Sequence, residues 1–240
     1  VYVAPPPPAP PRLRSVSGLA IAVTALGIAV IVAYLPRIVA SWWVYSAMFT
    51  EPQDGLDSLV QRLDTPILLL LVGLILLVPA LIAAAVTTLV WVHRAGTNAA
   101  ALSPHLRPRY TPAASVGLLL IPLANLWFLR PVLEDLCTAS SPYTPDARGA
   151  RLVRACWATT VVTATVSLLG NLAMHGISTQ LYGPGRPVDE TLNTWMATAG
   201  LAFATVEYLL AIACTVLFAR VVRHISRQQA ALLPPPGAQW

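Results

Sequence analysis

Four stretches of the chain are apolar for long enough to cross a bilayer, which takes about 20 mostly apolar residues in a helix. They are residues 16–35, 66–92, 155–174 and 194–219. Breaker and capping residues punctuate them. Pro36 is expected to stop the first, Thr65 to cap the second with Pro66 in its first turn, and Asn193 or Thr194 to cap the fourth. Trp42, Trp43, Trp91, Trp157 and Trp195 fall at or just beyond the ends, where an indole prefers the headgroup layer. The pattern predicts an all-α polytopic membrane protein with four transmembrane helices.

A fifth apolar stretch, residues 113–129, is shorter than a comfortable crossing and carries Pro122, which removes a backbone hydrogen bond near its middle. The arginines decide its course. If residues 112–129 return to the side they came from, 12 of the 15 arginines share a side with the N-terminus, and only Arg37, Arg62 and Arg186 lie opposite. If they cross, the split falls to 9 against 6. Cytoplasmic loops collect basic residues, so a re-entrant or interfacial hairpin between the second and third spans is expected, with both termini cytoplasmic in the plasma membrane. Irregular backbone at membrane depth survives only where protein or water satisfies it. Arg12 and Arg14 ahead of an apolar run, with Ala40 beyond it, also outline a secretory signal. The run exceeds the roughly 7–15 residues of such a signal, so an uncleaved anchor is expected.

This divides the chain into a proline-rich cytoplasmic tail at 1–15, a transmembrane helical domain at 16–219 and a basic cytoplasmic tail at 220–240. Prolines at 5–8, 10 and 11 favour an extended polyproline II spacer. No internal repeat is visible.

Composition agrees with the pattern. Hydrophobic residues make up 56% of the chain and charged residues 10%, under half the roughly 25% of a soluble domain. That excludes a soluble enzyme and a disordered chain. The net charge of +5 comes with arginine alone and no lysine, and it suits an anionic membrane face rather than nucleic acid. Arg148, Arg151 and Arg154, and then Arg220, Arg223 and Arg227 with His224, recur in steps of three and four. Each set therefore shares one helix face, expected to meet anionic lipid at about 1 kcal/mol per charge.

Candidate chemistry is sparse. Cys137, Cys156 and Cys214 are far apart and form no Cys-x-x-Cys pair, against both a disulfide framework and a zinc site of ordinary spacing. His93, His105, His175 and His224 fall in separate segments without a ligand-like partner at helical spacing. Glu134 and Asp135 are adjacent on a helix, about 100 degrees apart, and do not readily share an ion. Gly183, Pro184 and Gly185 read as an outer-loop turn. No catalytic set, cofactor or metal is expected.

Two intramembrane polar residues stand out. Glu207, about thirteen residues from either end of the fourth span, is the ionisable group deep inside a span, and Thr163, Thr165 and Ser167 lie at comparable depth to bond it. Asn125 is expected to satisfy the backbone groups freed at Pro122, as a bracket for the bend, because an unpaired carboxamide there is costly.

Several blocks form a pattern of their own: Trp91, Arg94, Ala95 and Asn98 at the exit of the second span; Pro122, Asn125, Leu126 and Trp127; the amphipathic turn from Pro131 to the Ala139-Ser140 pair; and the tail VVRHISRQQ. Through these, from about residue 20 to 230, the chain resembles an actinobacterial integral membrane family known only as domain of unknown function 4328. It departs from that family's usual aromatics before the proline, carrying Leu118, Leu119, Leu120 and Ile121 instead. The resemblance implies a multi-span membrane protein and transfers no catalytic residue. The expected function is an interaction or scaffold component of the cell envelope, with a membrane-protein partner or a second copy of itself. The alternative is a small oligomeric transporter or channel using Glu207 and the Asn125 hairpin.

Overall fold

The computed structural model describes residues 13–49, 55–106, 108–141, 143–181 and 190–232. The proline run, Arg12, the Gly183–Gly185 turn and Arg186 lie outside the described residues. Among the described residues six helices follow in order: α1 (Ser17–Phe49), α2 (Leu56–Leu102), α3 (Pro112–Leu120), α4 (Pro122–Ala139), α5 (Ala147–Leu181) and α6 (Glu190–Ala231). Four of them, α1, α2, α5 and α6, are long and apolar enough to cross a membrane, and the short α3 and α4 stand between spans two and three. Their outer faces carry exposed Ile21, Leu68, Ile75, Ile82, Leu168 and Leu209, the surface that lipid requires and water penalises.

The helices outrun the apolar stretches that predict them. Pro36 does not stop α1, which continues to Phe49; Thr65 and Pro66 lie inside α2, which starts at Leu56 after Gly55. Asn193 and Thr194 lie inside α6. Proline is tolerated within a packed membrane helix because neighbouring groups and local adjustment absorb the lost bond. Gly55 has a φ of 117°, a region open essentially to glycine, so the chain turns into α2 there. At about 1.5 Å per residue, the 47 residues of α2 span about 70 Å and the 42 of α6 about 63 Å, roughly twice a hydrocarbon core.

One finding follows for charge. Arg37, expected in an outer loop, sits within α1 with its Nε buried and unpartnered, its guanidinium 6.0 Å from the Tyr208 ring. Glu207 therefore has a basic residue packed against its chain neighbour.

The hairpin is built by Pro122. The residue before a proline is driven out of the α region, and Ile121 is accordingly extended at φ −89°, ψ 112°. Pro122 then occupies the first turn of α4, where its missing N–H costs nothing. Thr111 caps α3 by accepting from the Ala114 N–H at 3.2 Å. The two helices fold back on each other, closing Tyr110 edge-on against Phe128 at 5.6 Å.

The main core lies where the start of α1, the end of α2, α4, the start of α5 and the end of α6 meet. Val16, Trp91, Leu133, Cys156 and Ile225 are among its fully buried members. Trp91, expected in the headgroup layer, is instead wholly inside this core.

Candidate functional site at the joined helix ends

Four helix ends converge on a buried hydrogen-bond network. Gln229, 1% exposed, donates from Nε2 to the Ala95 carbonyl and to Ser140 Oγ, both at 3.0 Å, and accepts from Asn98 Nδ2 at 3.2 Å. Asn98 also clasps the backbone of Arg14, accepting its N–H at 3.0 Å and donating to its carbonyl at 2.7 Å. Trp91 Nε1 donates to Ser226 Oγ at 2.9 Å, and Ser103 Oγ to the Ala139 carbonyl at 3.0 Å. Every pairing satisfies a group that burial would otherwise penalise by about 1–3 kcal/mol. The polar residues therefore lock α1, α2, α4 and α6 in one register.

Beside this network Asp146, just ahead of α5, gathers three further segments. Its Oδ1 accepts from the Gly149 N–H at 2.9 Å, a helix-capping bond. Its Oδ2 meets His224 Nε2 at 2.5 Å, Gln228 Nε2 at 2.7 Å and Cys137 Sγ at 3.2 Å. Burial works against the carboxylate charge, but the bonds from Gly149, His224, Cys137 and Gln228 outweigh it and hold Asp146 well below the usual carboxylate range. Burial, with the bond to Asp146 and its charge, pushes the Cys137 thiol up to about 12. Nucleophilic cysteines need the opposite environment, so this thiol is not set up as a nucleophile. Gly149 makes the approach possible, since a Cβ there would overlap Asp146 Oδ2 and Cys137 Sγ.

The predicted arginine sets separate. Arg148, Arg220, Arg223, Arg227 and His224 line one cleft of about 470 Å³ between α5 and α6. Arg223 and Arg227 also line an adjoining apolar groove of about 450 Å³ with Ala20, Ile21, Thr24 and Ile28. Arg151 and Arg154 lie outside both, and Arg154 Nε returns to the Ala150 carbonyl at 3.3 Å. Among the described residues, none of the four cleft arginines is within salt-bridge reach of an acid.

The intramembrane candidates do not come together. Ser167 Oγ donates to Glu207 Oε1 at 2.6 Å; Thr163 and Thr165 do not bond it. Asn125, expected to bracket the bend, leaves its buried Oδ1 without a partner and lines a cavity of about 460 Å³ with Thr160, Cys214 and Thr215. Cys214 is seven residues, about 10 Å, along α6 from Glu207. The neighbouring Leu126 carbonyl accepts from Trp157 Nε1 at 2.7 Å, fixing α4 on α5, while Trp127 is exposed. Glu134 and Asp135 both face Arg109, which lies 3.8 Å from the first and 3.6 Å from the second.

Sequence reasoning missed the Cys137, Asp146 and His224 cluster because no two of its members are within hydrogen-bonding range along the chain. The one local signal was Asp146 three residues ahead of Gly149, a capping position. A family profile described as a domain of unknown function (DUF4328) matches residues 59–227, well over half of the 240. The match begins inside α2, so α1 lies outside it. No curated protein and no solved structure matches.

Proposed function

The chain belongs to the family of domain of unknown function 4328, and from that premise we propose that it is a non-enzymatic interaction or scaffold component of the cell envelope. Both termini lie in the cytoplasm, and the joined helix ends stand on the anionic inner leaflet. One observation carries the reading: the buried polar residues at this end, Asn98, Ser103, Ser140, Ser226 and Gln229, are spent on joining helix to helix, through one another, the Ala139 carbonyl and the Trp91 indole. A rigid platform on four spans, with arginines at its edge, suits holding a position and presenting a surface.

Crosslinking in native membranes tests it. A higher-order adduct with a second copy or another membrane protein is expected, and recovery of monomer alone overturns the scaffold role. Orientation has its own test, because the chain contains no lysine. Single lysines introduced as D57K, H105K and Y143K report their side to an impermeant amine reagent. Residues 105 and 143 should react only from the cytoplasmic side and residue 57 only from the outside.

A second reading, a small oligomeric transporter or channel, is favoured by the unpartnered Asn125 Oδ1 in its cavity. It requires a pH-dependent flux in reconstituted vesicles that Glu207→Gln abolishes. Flux at the level of empty liposomes eliminates it.

A further inference from the structure

We propose that Cys137, Asp146 and His224 form a binding site for a divalent transition metal of the zinc class, with Gln228 supplying a fourth ligand atom. The three side chains come from the end of α4, the segment ahead of α5 and the end of α6, and their ligand atoms all lie within 4.8 Å of one another. A sulfur, an imidazole nitrogen and a carboxylate oxygen are a zinc-type donor set, whereas magnesium and calcium take oxygen.

The hydrogen bonding around Asp146 points to a cation independently. Oδ2 alone collects three donors, from His224, Gln228 and Cys137, while Gln228 Oε1 next to it is buried with no partner. A cation at the centre of the group takes the place of those donors on Oδ2, and turning the Gln228 amide over brings its orphan oxygen onto the metal. Oδ1 stays on the Gly149 N–H, the kind of outer contact that orients a ligating carboxylate. Access is present from two sides: Cys137 and Asp146 line a cleft of about 610 Å³, and His224 lines the arginine cleft. Binding breaks the Cys137 S–H bond and forms a metal–sulfur bond, with the proton leaving to solvent, and the neutral His224 ring passes its Nε2 proton through solvent to Nδ1 so that the Nε2 lone pair is free for the metal. Neither the metal nor the protein changes oxidation state.

The test uses the full-length chain in detergent, stripped with a chelator, and Co2+ as a spectroscopic stand-in for Zn2+. One equivalent should bind with a sulfur-to-cobalt charge-transfer band and the visible bands of tetrahedral cobalt, and Zn2+ should bleach both. Cys137→Ser, which keeps a hydroxyl able to bond Asp146, should lose the charge-transfer band, and His224→Ala should weaken binding by about tenfold or more. Cys156→Ser and Cys214→Ser should leave the spectrum unchanged. Gln228→Glu, which adds charge at the fourth position, should tighten binding, and this guards against variants that merely unfold. Absence of any sulfur band in the unmodified chain, or a band that survives Cys137→Ser, overturns the assignment.

Discussion

Gly149 holds a junction by having no side chain, and Gln229 holds one by its hydrogen bonds. At Gly149 a methyl group meets both Asp146 and Cys137, so Gly149→Ala should cost about 1–3 kcal/mol by overpacking. A thermal melt in detergent reads this as a lowered midpoint, and an unchanged midpoint means that the Asp146 turn can yield. Gln229→Leu keeps the volume but strands Asn98 Nδ2 and Ser140 Oγ of their Gln229 bonds, for an expected loss of about 1–3 kcal/mol. In the chelator-stripped chain the Cys137 thiol, pushed up to about 12, should resist iodoacetamide at pH 8 until the chain unfolds. Rapid alkylation of that residue in the folded protein, followed by peptide mass mapping, speaks against the described packing.

At the level of elements, Pro122 is the joint. With Pro122→Ala the steric bar on Ile121 disappears and the helix can run straight from α3 into α4. Spin labels at exposed positions 113 and 127 should then report a longer and broader distance distribution, while an unaltered one assigns the bend to packing alone. This element was legible in sequence because a proline within a short apolar run has a direct backbone consequence. The spans were legible for a similar reason, since sustained apolar length has few other uses. Their ends were not. Pro36, Thr65 and Thr194 carry breaker or cap character, yet α1, α2 and α6 run past them because tertiary packing outweighs local preference. Trp91 misled similarly: its position suited a headgroup anchor, and only the fold reveals Ser226 waiting for its N–H. The cluster at Asp146 was invisible because its parts are 9 and 78 residues apart, and only the approach of α4, α5 and α6 joins them.

For the whole molecule, helices about 60–70 Å long cannot be contained in a hydrocarbon core of about 30 Å, so the joined ends must project from it. The arginine cleft and its adjoining apolar groove share Arg223 and Arg227, which sets charge beside apolar surface, the combination that an anionic phospholipid would match. Replacing Arg223 and Arg227 together by glutamine should reduce the anionic phospholipid that co-purifies, relative to zwitterionic lipid, by several-fold in native mass spectrometry. An equal ratio assigns those charges to topology alone.

The Asn98 clasp on Arg14 gives the chain ahead of it a mechanical meaning. Both backbone bonds of Arg14 end on one carboxamide, which is tied through Gln229 to Ala95 and Ser140. A tug on the leading tail is thus borne first by Asn98 rather than by the lipid-embedded part of α1, and it spreads at once to three other helices.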